Sequence, residues 1–327
     1  MVAQLLKTEK QSKYLPIYLE SLRVDTVLSF DLYIKIGDDM ILYRSADLPF
    51  TEKTRNKLLD NNVSRLYVGK ENRDKYQKYI EQNLDKILVD REIPEVRKAG
   101  ILYETSKSLM KDVLENPTFG ENIKRSKNMV ANTVGYILKG QAAFHNLLKI
   151  SSFDYYTYTH SVNVCTFGVA LAQQIGRNDE EYLQELGIGA LLHDVGKSKI
   201  SERILNKRTS LSPVEFELMK KHPRWGVEIL SGTDMISPSA YYPVLQHHER
   251  GSGKGYPNGL TLDEMHEYSR IVAVVDTFDA MTTERVYQKA MDTFPALKTM
   301  FSLPEDYDQT MLKAFAELMG PTGLLKI

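Results

Sequence analysis

The chain is poor in cysteine, in long apolar runs and in net charge, and each scarcity removes a class of protein. Its 327 residues include one cysteine, Cys165. One thiol cannot close an internal disulfide, which fits a reducing compartment and excludes a disulfide-built scaffold. Cys165 itself reads as a small buried side chain of a helix. No apolar run approaches the ~20 residues of a membrane helix, and Met1 to Lys13 lacks the apolar core of a signal peptide. The expected compartment is the cytoplasm, with no membrane association. A formal charge of −1 and a pI near 6.7 leave no broad basic surface for nucleic acid, although a small anionic ligand needs only a few local cations. Repeats and low-complexity tracts are absent. Histidine is scarce too, and five of the seven lie between His160 and His248.

What is present is an ordinary globular composition, 42% hydrophobic and 26% charged, long enough for two domains. The most informative stretch is Ala190 to Ile200. An apolar run, Ala190-Leu191-Leu192, ends abruptly in His193 and Asp194, followed by Gly196 and Lys197. Burying an imidazole and a carboxylate is costly unless they are hydrogen-bonded, paired or held by a metal. The dipeptide alone does not separate metal ligation from a helix-terminal His beside a capping Asp. Other residues weigh in. His160 opens a helical pattern (Val164, Phe167, Leu171), His222 stands in Lys-Lys-His-Pro, His247 and His248 follow Val244 and Leu245, and Asp276 closes the all-apolar run Ile271 to Val275. Five His and two Asp make a full ligand set for two divalent ions without cysteine.

At this point the residues resemble a known family. His193-Asp194-Val195-Gly196-Lys197, Leu205-Asn206-Lys207, Lys221-His222-Pro223, His247-His248-Glu249-Arg250 with Gly255-Tyr256-Pro257, and Asp276-Thr277-Phe278-Asp279-Ala280-Met281-Thr282 are similar to successive signatures of the HD-GYP domain. That domain is a branch of the HD metal-dependent phosphohydrolases. Several matches in order, from about Asp154 to Met319, are far more specific than one.

The resemblance implies a mainly α fold, a helical HD-type bundle with a binuclear metal site. It implies that His160, His193, Asp194 and Asp276 hold one ion, with Asp194 bridging to a second held by His222, His247 and His248. Two such ions polarise a phosphodiester and generate hydroxide near neutral pH. Asp194 and Lys197 are the expected catalytic residues, Lys197 offering a point charge to a phosphate oxygen. Lys197, Lys254, Tyr256 and Arg285 are the expected substrate contacts. The implied reaction is hydrolysis of cyclic di-GMP to linear pGpG, in some members onward to GMP, with iron or manganese as the first candidates for the metal and zinc or nickel as the others. Alternatives are a module that binds a cyclic dinucleotide or a partner with little hydrolysis, and a hydrolase of another cyclic dinucleotide such as cyclic GMP-AMP. A protein partner at the Gly255-Tyr256-Pro257 loop or the N-terminal domain, and a homodimer, stay open. Two departures from the family pattern matter. Ser252 stands where the loop usually carries Asp, removing a carboxylate that would fix it. Tyr156 stands where members with a third metal carry Glu, which points to two ions.

Ahead of this domain the chain reads differently. Asp31 to Ile36 and Met40 to Arg44 form a hairpin around Gly37-Asp38-Asp39, Thr51 caps a helix to about Asn61, Val63 to Val68 is a strand and Glu71 to Leu88 a helix. Residues 1–90 are thus expected to be a small α/β regulatory or partner-binding domain, its tyrosines Tyr33, Tyr43, Tyr67 and Tyr76 in the core. Residues 91–150 are expected to be a helical linker, with one helix from Val96 to Val113 and an apolar stripe from Ile123 to Ile150. Residues 151–327 are the expected HD-GYP domain, where Ile271 to Val275 looks strand-like by β-branching but helical by resemblance. His266, in a polar stretch, is expected to be exposed.

Overall fold

The computed structural model describes residues 13–151, 157–207, 209–284 and 289–320. The chain divides into two compact units, Met1–Ile101 and Leu102–Ile327. The first is built on a four-stranded antiparallel sheet of β1 (Tyr14–Tyr18), β3 (Leu32–Ile36), β4 (Asp39–Arg44) and β6 (Arg65–Gly69), in the order β1-β6-β3-β4; β2 (Thr26–Val27) and β5 (Pro49–Phe50) pair separately. Gly37, at φ 61°, turns β3 into β4, because only glycine enters the left-handed region without cost. β1 escapes a reading of β-propensity since it contains Pro16. Proline lacks an amide proton but is tolerated on an edge strand, and β1 is an edge, with Pro16 opposite Tyr67.

Thr51 accepts a hydrogen bond from the Thr54 amide and starts α1 (Glu52–Asp60). α2 (Arg73–Val89) buries Ile80, Leu84 and Ile87 with Phe30, Phe50 and Leu66. Phenylalanine forms the aromatic centre of this core: Tyr76 and the buried Tyr79 meet Phe30 edge-on, while Tyr33, Tyr43, Tyr67 and Tyr76 are all only half-buried.

α3 (Glu95–Glu115) carries the division between the units, and residues 102–150 are grouped with the second. The stripe from Ile123 to Ile150 is two helices, α4 (Gly120–Ile137) and α5 (Gln141–Ile150). Gly140, at φ 121°, breaks the ladder between them.

The second unit is helical: α6 (Thr157–Gln174), α7 (Glu180–Leu192), α8 (Glu202–Leu205), α9 (Pro213–Met219), α10 (His222–Ser231), α11 (Tyr241–Gln246), α12 (Glu267–Thr282), α13 (Thr293–Phe301) and α14 (Gln309–Met319). Its centre is α6, buried at every position from Thr159 to Ala172 and packed against α4, α5, α7, α12 and α14. A helix buried on all sides belongs there, and each fully buried apolar side chain such as Val164 or Leu171 contributes about 1.5–3 kcal/mol. The β-branched run Ile271 to Val275 lies inside α12 and is essentially inaccessible, so burial overrides local strand preference. His266 is not exposed. It is half-buried, stacked 4.2 Å from the Tyr242 ring, and accepts the Tyr268 amide proton as the N-cap of α12. Cys165 is buried and free. No described helix is long and apolar enough to cross a membrane.

Candidate metal centre

Five stretches of the second unit converge on one interior point. α6 presents His160 in its first turn, and the apolar end of α7 carries His193 and Asp194 inward before the chain enters the 3₁₀ turn Val195–Lys199. His222 opens α10, His247 and His248 follow α11, and Asp276 lies within α12. Gly196 is required where the turn passes α10, because a Cβ there would collide with the His222 carbonyl and the Gly226 amide. The Gly of His193-Asp194-Val195-Gly196-Lys197 thereby seats His222 beside Asp194.

Ring orientation follows from backbone acceptors. A carbonyl only accepts, so the ring nitrogen facing it carries the proton. Nδ1–H of His193 donates to Ala190 (2.7 Å), that of His222 to Met219 (2.7 Å) and that of His247 to Pro243 (2.9 Å); Nδ1–H of His160 donates to Asp279 Oδ2 (2.7 Å). The four Nε2 atoms are left as bare lone pairs pointing inward. Two of them face each other at 3.3 Å, His160 and His193, and two at 3.1 Å, His222 and His247. Acceptors at that separation repel unless a cation lies between them.

Asp194 stands between the two pairs. Its Oδ2 is 3.4 Å from His193 Nε2 and 3.7 Å from His160 Nε2, while its Oδ1 is 3.2 Å from His222 Nε2 and 3.7 Å from His247 Nε2. Oδ1 is buried and receives no hydrogen bond, a state that is costly for a carboxylate oxygen lacking a cation. Asp276 Oδ1 is 3.0 Å from His160 Nε2, and its Oδ2 is 3.8 Å from His248 Nδ1. Among the described residues, two groups have donor atoms close enough to share an ion: Asp194, His222, His247 and His248, and His160, His193 and Asp276. Lone pairs without protons and an orphaned carboxylate oxygen are what a divalent cation requires, so the residues fit the group.

The electrostatics agree. Burial works to raise both carboxyl pKa values, but it is outweighed by Lys197 and His193 at Asp194, and by the His160 hydrogen bond and His248 at Asp276. Both carboxylates are held well below their usual range. Burial, with neighbouring imidazoles, pushes His247 and His248 well below the usual histidine range. These rings stay neutral and keep the lone pairs a metal needs.

A family model described as HD domain matches residues 145–311, more than half of the chain. The chain belongs to the HD-domain family. This HD-domain chain is 32% identical over 235 residues to a cyclic di-GMP phosphodiesterase of Pseudomonas aeruginosa, covering 71% of this chain and 56% of that one. It is 37% identical over 167 residues to a cyclic di-GMP phosphodiesterase of Thermotoga maritima, covering 50% and 45% respectively. It thus spans about half the length of these curated relatives. Among solved structures, an HDG"Y"P protein of Bdellovibrio bacteriovorus matches with a TM-score of 0.65 at 25% identity, over 94% of this chain and 99% of that one. The HD-GYP resemblance seen in the motifs is borne out.

All seven expected ligands of this HD-domain chain meet at the centre. Lys197 is 14% exposed, with Nζ 2.5 Å from Asp194 Oδ2. Tyr256 is half-buried with its ring 4.7 Å from that of His248 and 6.4 Å from that of Phe216. Lys254 is exposed on the same loop. Arg285 and Tyr156 lie outside the described residues. Ser252 does not leave the loop unfixed: its hydroxyl donates to Asp306 Oδ1 (2.5 Å), and the Gly251 amide donates to the Asp306 carbonyl (3.0 Å). A carboxylate 54 residues away does the fixing.

Several residues escaped the sequence reading. Glu249 is fully buried and accepts the amide protons of Asn258 (2.7 Å) and Leu260 (3.0 Å), tying the Gly255-Tyr256-Pro257 loop to the end of α11. Arg224 of α10 holds the loop from the other side through the Pro257 carbonyl and the Asn258 side chain. Asp279 orients His160. Its signal was present in the spacing, since Asp276 and Asp279 are three apart and share a helix face.

Proposed function

We propose that the chain is a metal-dependent phosphodiesterase that opens cyclic di-GMP to linear pGpG. The observation that carries this reading is Asp194, whose two oxygens each face a different pair of inward imidazoles. In this reading His160, His193, Asp194 and Asp276 would hold one ion, and Asp194, His222, His247 and His248 would hold a second. Iron or manganese is the proposed metal, with zinc or nickel as the alternatives. Two divalent ions bound there would supply Lewis acidity toward a phosphoryl oxygen and acidify water near neutral pH.

The chain's own residues do the rest. Lys197, partly exposed beside the fully buried Asp194, places a cation where a phosphate oxygen would enter. Tyr256, flanked by His248 and Phe216, offers an aromatic surface for a nucleobase. Lys254 and Arg285 are proposed as further contacts to the phosphates or guanine. The relatives named as cyclic di-GMP phosphodiesterases support the substrate assignment. A cytoplasmic location suits one buried, reduced cysteine and a nucleotide substrate. Residues 1–90 are proposed as a regulatory or partner-binding domain, residues 91–150 as the helical connection and residues 151–327 as the catalytic domain.

The test is a product time course with purified, metal-loaded protein, offering cyclic di-GMP and cyclic GMP-AMP in parallel, alongside Asp194→Ala. Accumulating pGpG that disappears in the variant is the expected result. Intact cyclic di-GMP with both ions bound refutes the substrate, and turnover surviving Asp194→Ala refutes the site.

A further inference from the structure

Tyr103 lies outside the stretch matched by the HD-domain model, yet a line of buried hydrogen bonds joins it to the metal centre. His160 Nδ1–H donates to Asp279 Oδ2 (2.7 Å), Asn163 Nδ2–H donates to Asp279 Oδ1 (2.8 Å), and the Tyr103 hydroxyl donates to Asn163 Oδ1 (2.8 Å). All four side chains are at most 2% exposed. The donor assignments are forced. A carboxylate only accepts, so Asn163 must turn its nitrogen toward Asp279, which leaves its oxygen facing the phenol. His160 and Asn163 stand three apart on α6, and Asp279 on α12 spans them with its two oxygens.

We infer that Tyr103 is a positioning residue for the metal centre, acting through Asn163 and Asp279 on the His160 imidazole. An amide reads the same shape in either orientation, and only its partners decide which end is nitrogen. Asp279 makes that decision, and the phenol proton satisfies the amide oxygen left facing Tyr103. Without the phenol, Asn163 Oδ1 is buried with no donor, and a flipped amide would aim oxygen at a carboxylate. Asp279 would then lose its second anchor, and the hydrogen bond that keeps His160 Nε2 unprotonated and aimed inward would loosen. Partners of ligating histidines set ligand basicity and ring orientation in this way, and their loss typically weakens metal binding by about 10–100-fold.

The inference rests on the metal-centre reading but not on the substrate, so its test measures metal. The full chain is stripped of metal and titrated with Mn²⁺ or Co²⁺ against a competing chelator, as wild type, Tyr103→Phe, Asn163→Ala and the double variant; Co²⁺ spectra report the ligand field directly. Tyr103→Phe keeps the ring and is expected to weaken binding several-fold, Asn163→Ala by about tenfold, and the double variant no further than Asn163→Ala alone. Non-additivity of this kind marks two residues in one line of action. Wild-type affinity and an unchanged Co²⁺ spectrum in Tyr103→Phe, with only the melting temperature lowered, would reduce Tyr103 to packing and overturn the inference. Effects that multiply in the double variant would also overturn it. A wild-type chain that binds no metal would overturn the metal-centre reading itself.

Discussion

His222 and His247 point unprotonated Nε2 atoms at each other across 3.1 Å, each ring having given its Nδ1 proton to a backbone carbonyl. The start of α10 and the end of α11 are therefore held in an arrangement that a bound cation would stabilise. Metal removal should lower the thermal midpoint. A ligand at a thousand times its Kd contributes about 4 kcal/mol, and a domain of this size loses roughly 2–4 °C per kcal/mol. Calorimetry of chelated and reloaded protein measures the difference; identical midpoints would mean that the repulsion is relieved in some other way.

Glu249 determines the shape of the loop that carries Tyr256. Glu249→Gln exchanges one accepting oxygen for an NH2 group aimed at a backbone N–H, so one of the bonds to Asn258 and Leu260 is lost. Hydrogen bonds to a charged group are worth about 1.5–3 kcal/mol, and stability should fall by that order. Because the loop is proposed to hold substrate and not the ions, KM should rise more than kcat falls, with metal content unchanged. Steady-state kinetics with metal analysis checks this, and a variant that loses metal would contradict it.

Gly196→Ala sets a methyl group against the His222 carbonyl and the Gly226 amide. Both neighbours are backbone, so relief requires α10 to move. Overpacking of this kind costs about 1–3 kcal/mol, and here the displaced residue, His222, is a proposed metal ligand. Denaturant unfolding should show the loss, and metal titration should show weaker binding in the same variant; full affinity would mean that α10 moves without His222.

Glu215 gives the chain an acid-sensitive helix start. The hydrogen bond from Lys207, with those from the Ser212 amide and hydroxyl, lowers its pKa from 4.5 to about 2, and it closes a capping box with Ser212 at α9. A carboxyl depressed by folding contributes stability that is present above its unfolded pKa and lost as pH falls toward its folded one. Wild type and Glu215→Gln should therefore differ in denaturation midpoint near neutrality, and the gap should shrink from about pH 4.5 downward. A gap independent of pH would assign the effect to packing.

The sequence by itself determined the chemistry of the centre. Imidazoles and carboxylates at the ends of apolar runs have few tolerable environments, so His193-Asp194, His247-His248 and Asp276 stood out as candidate ligands before any fold was known. It also determined the helices whose apolar spacing or caps are local, as with Thr51 before α1 and the stripe of α3. Only the tertiary structure decided the rest. Which nitrogen of each ring faces inward depends on carbonyls that become neighbours when α7, α10 and α11 pack. Ser252 finds its carboxylate in Asp306, and His160 finds its support in Asp279 and, beyond it, Tyr103. β1 is a strand because β6 lies beside it, and Ile271 to Val275 is helical because α6 covers it. Residue type is a local property and can be read in order along the chain. Hydrogen-bond partnership and burial belong to pairs of residues far apart in sequence, and folding alone brings them together.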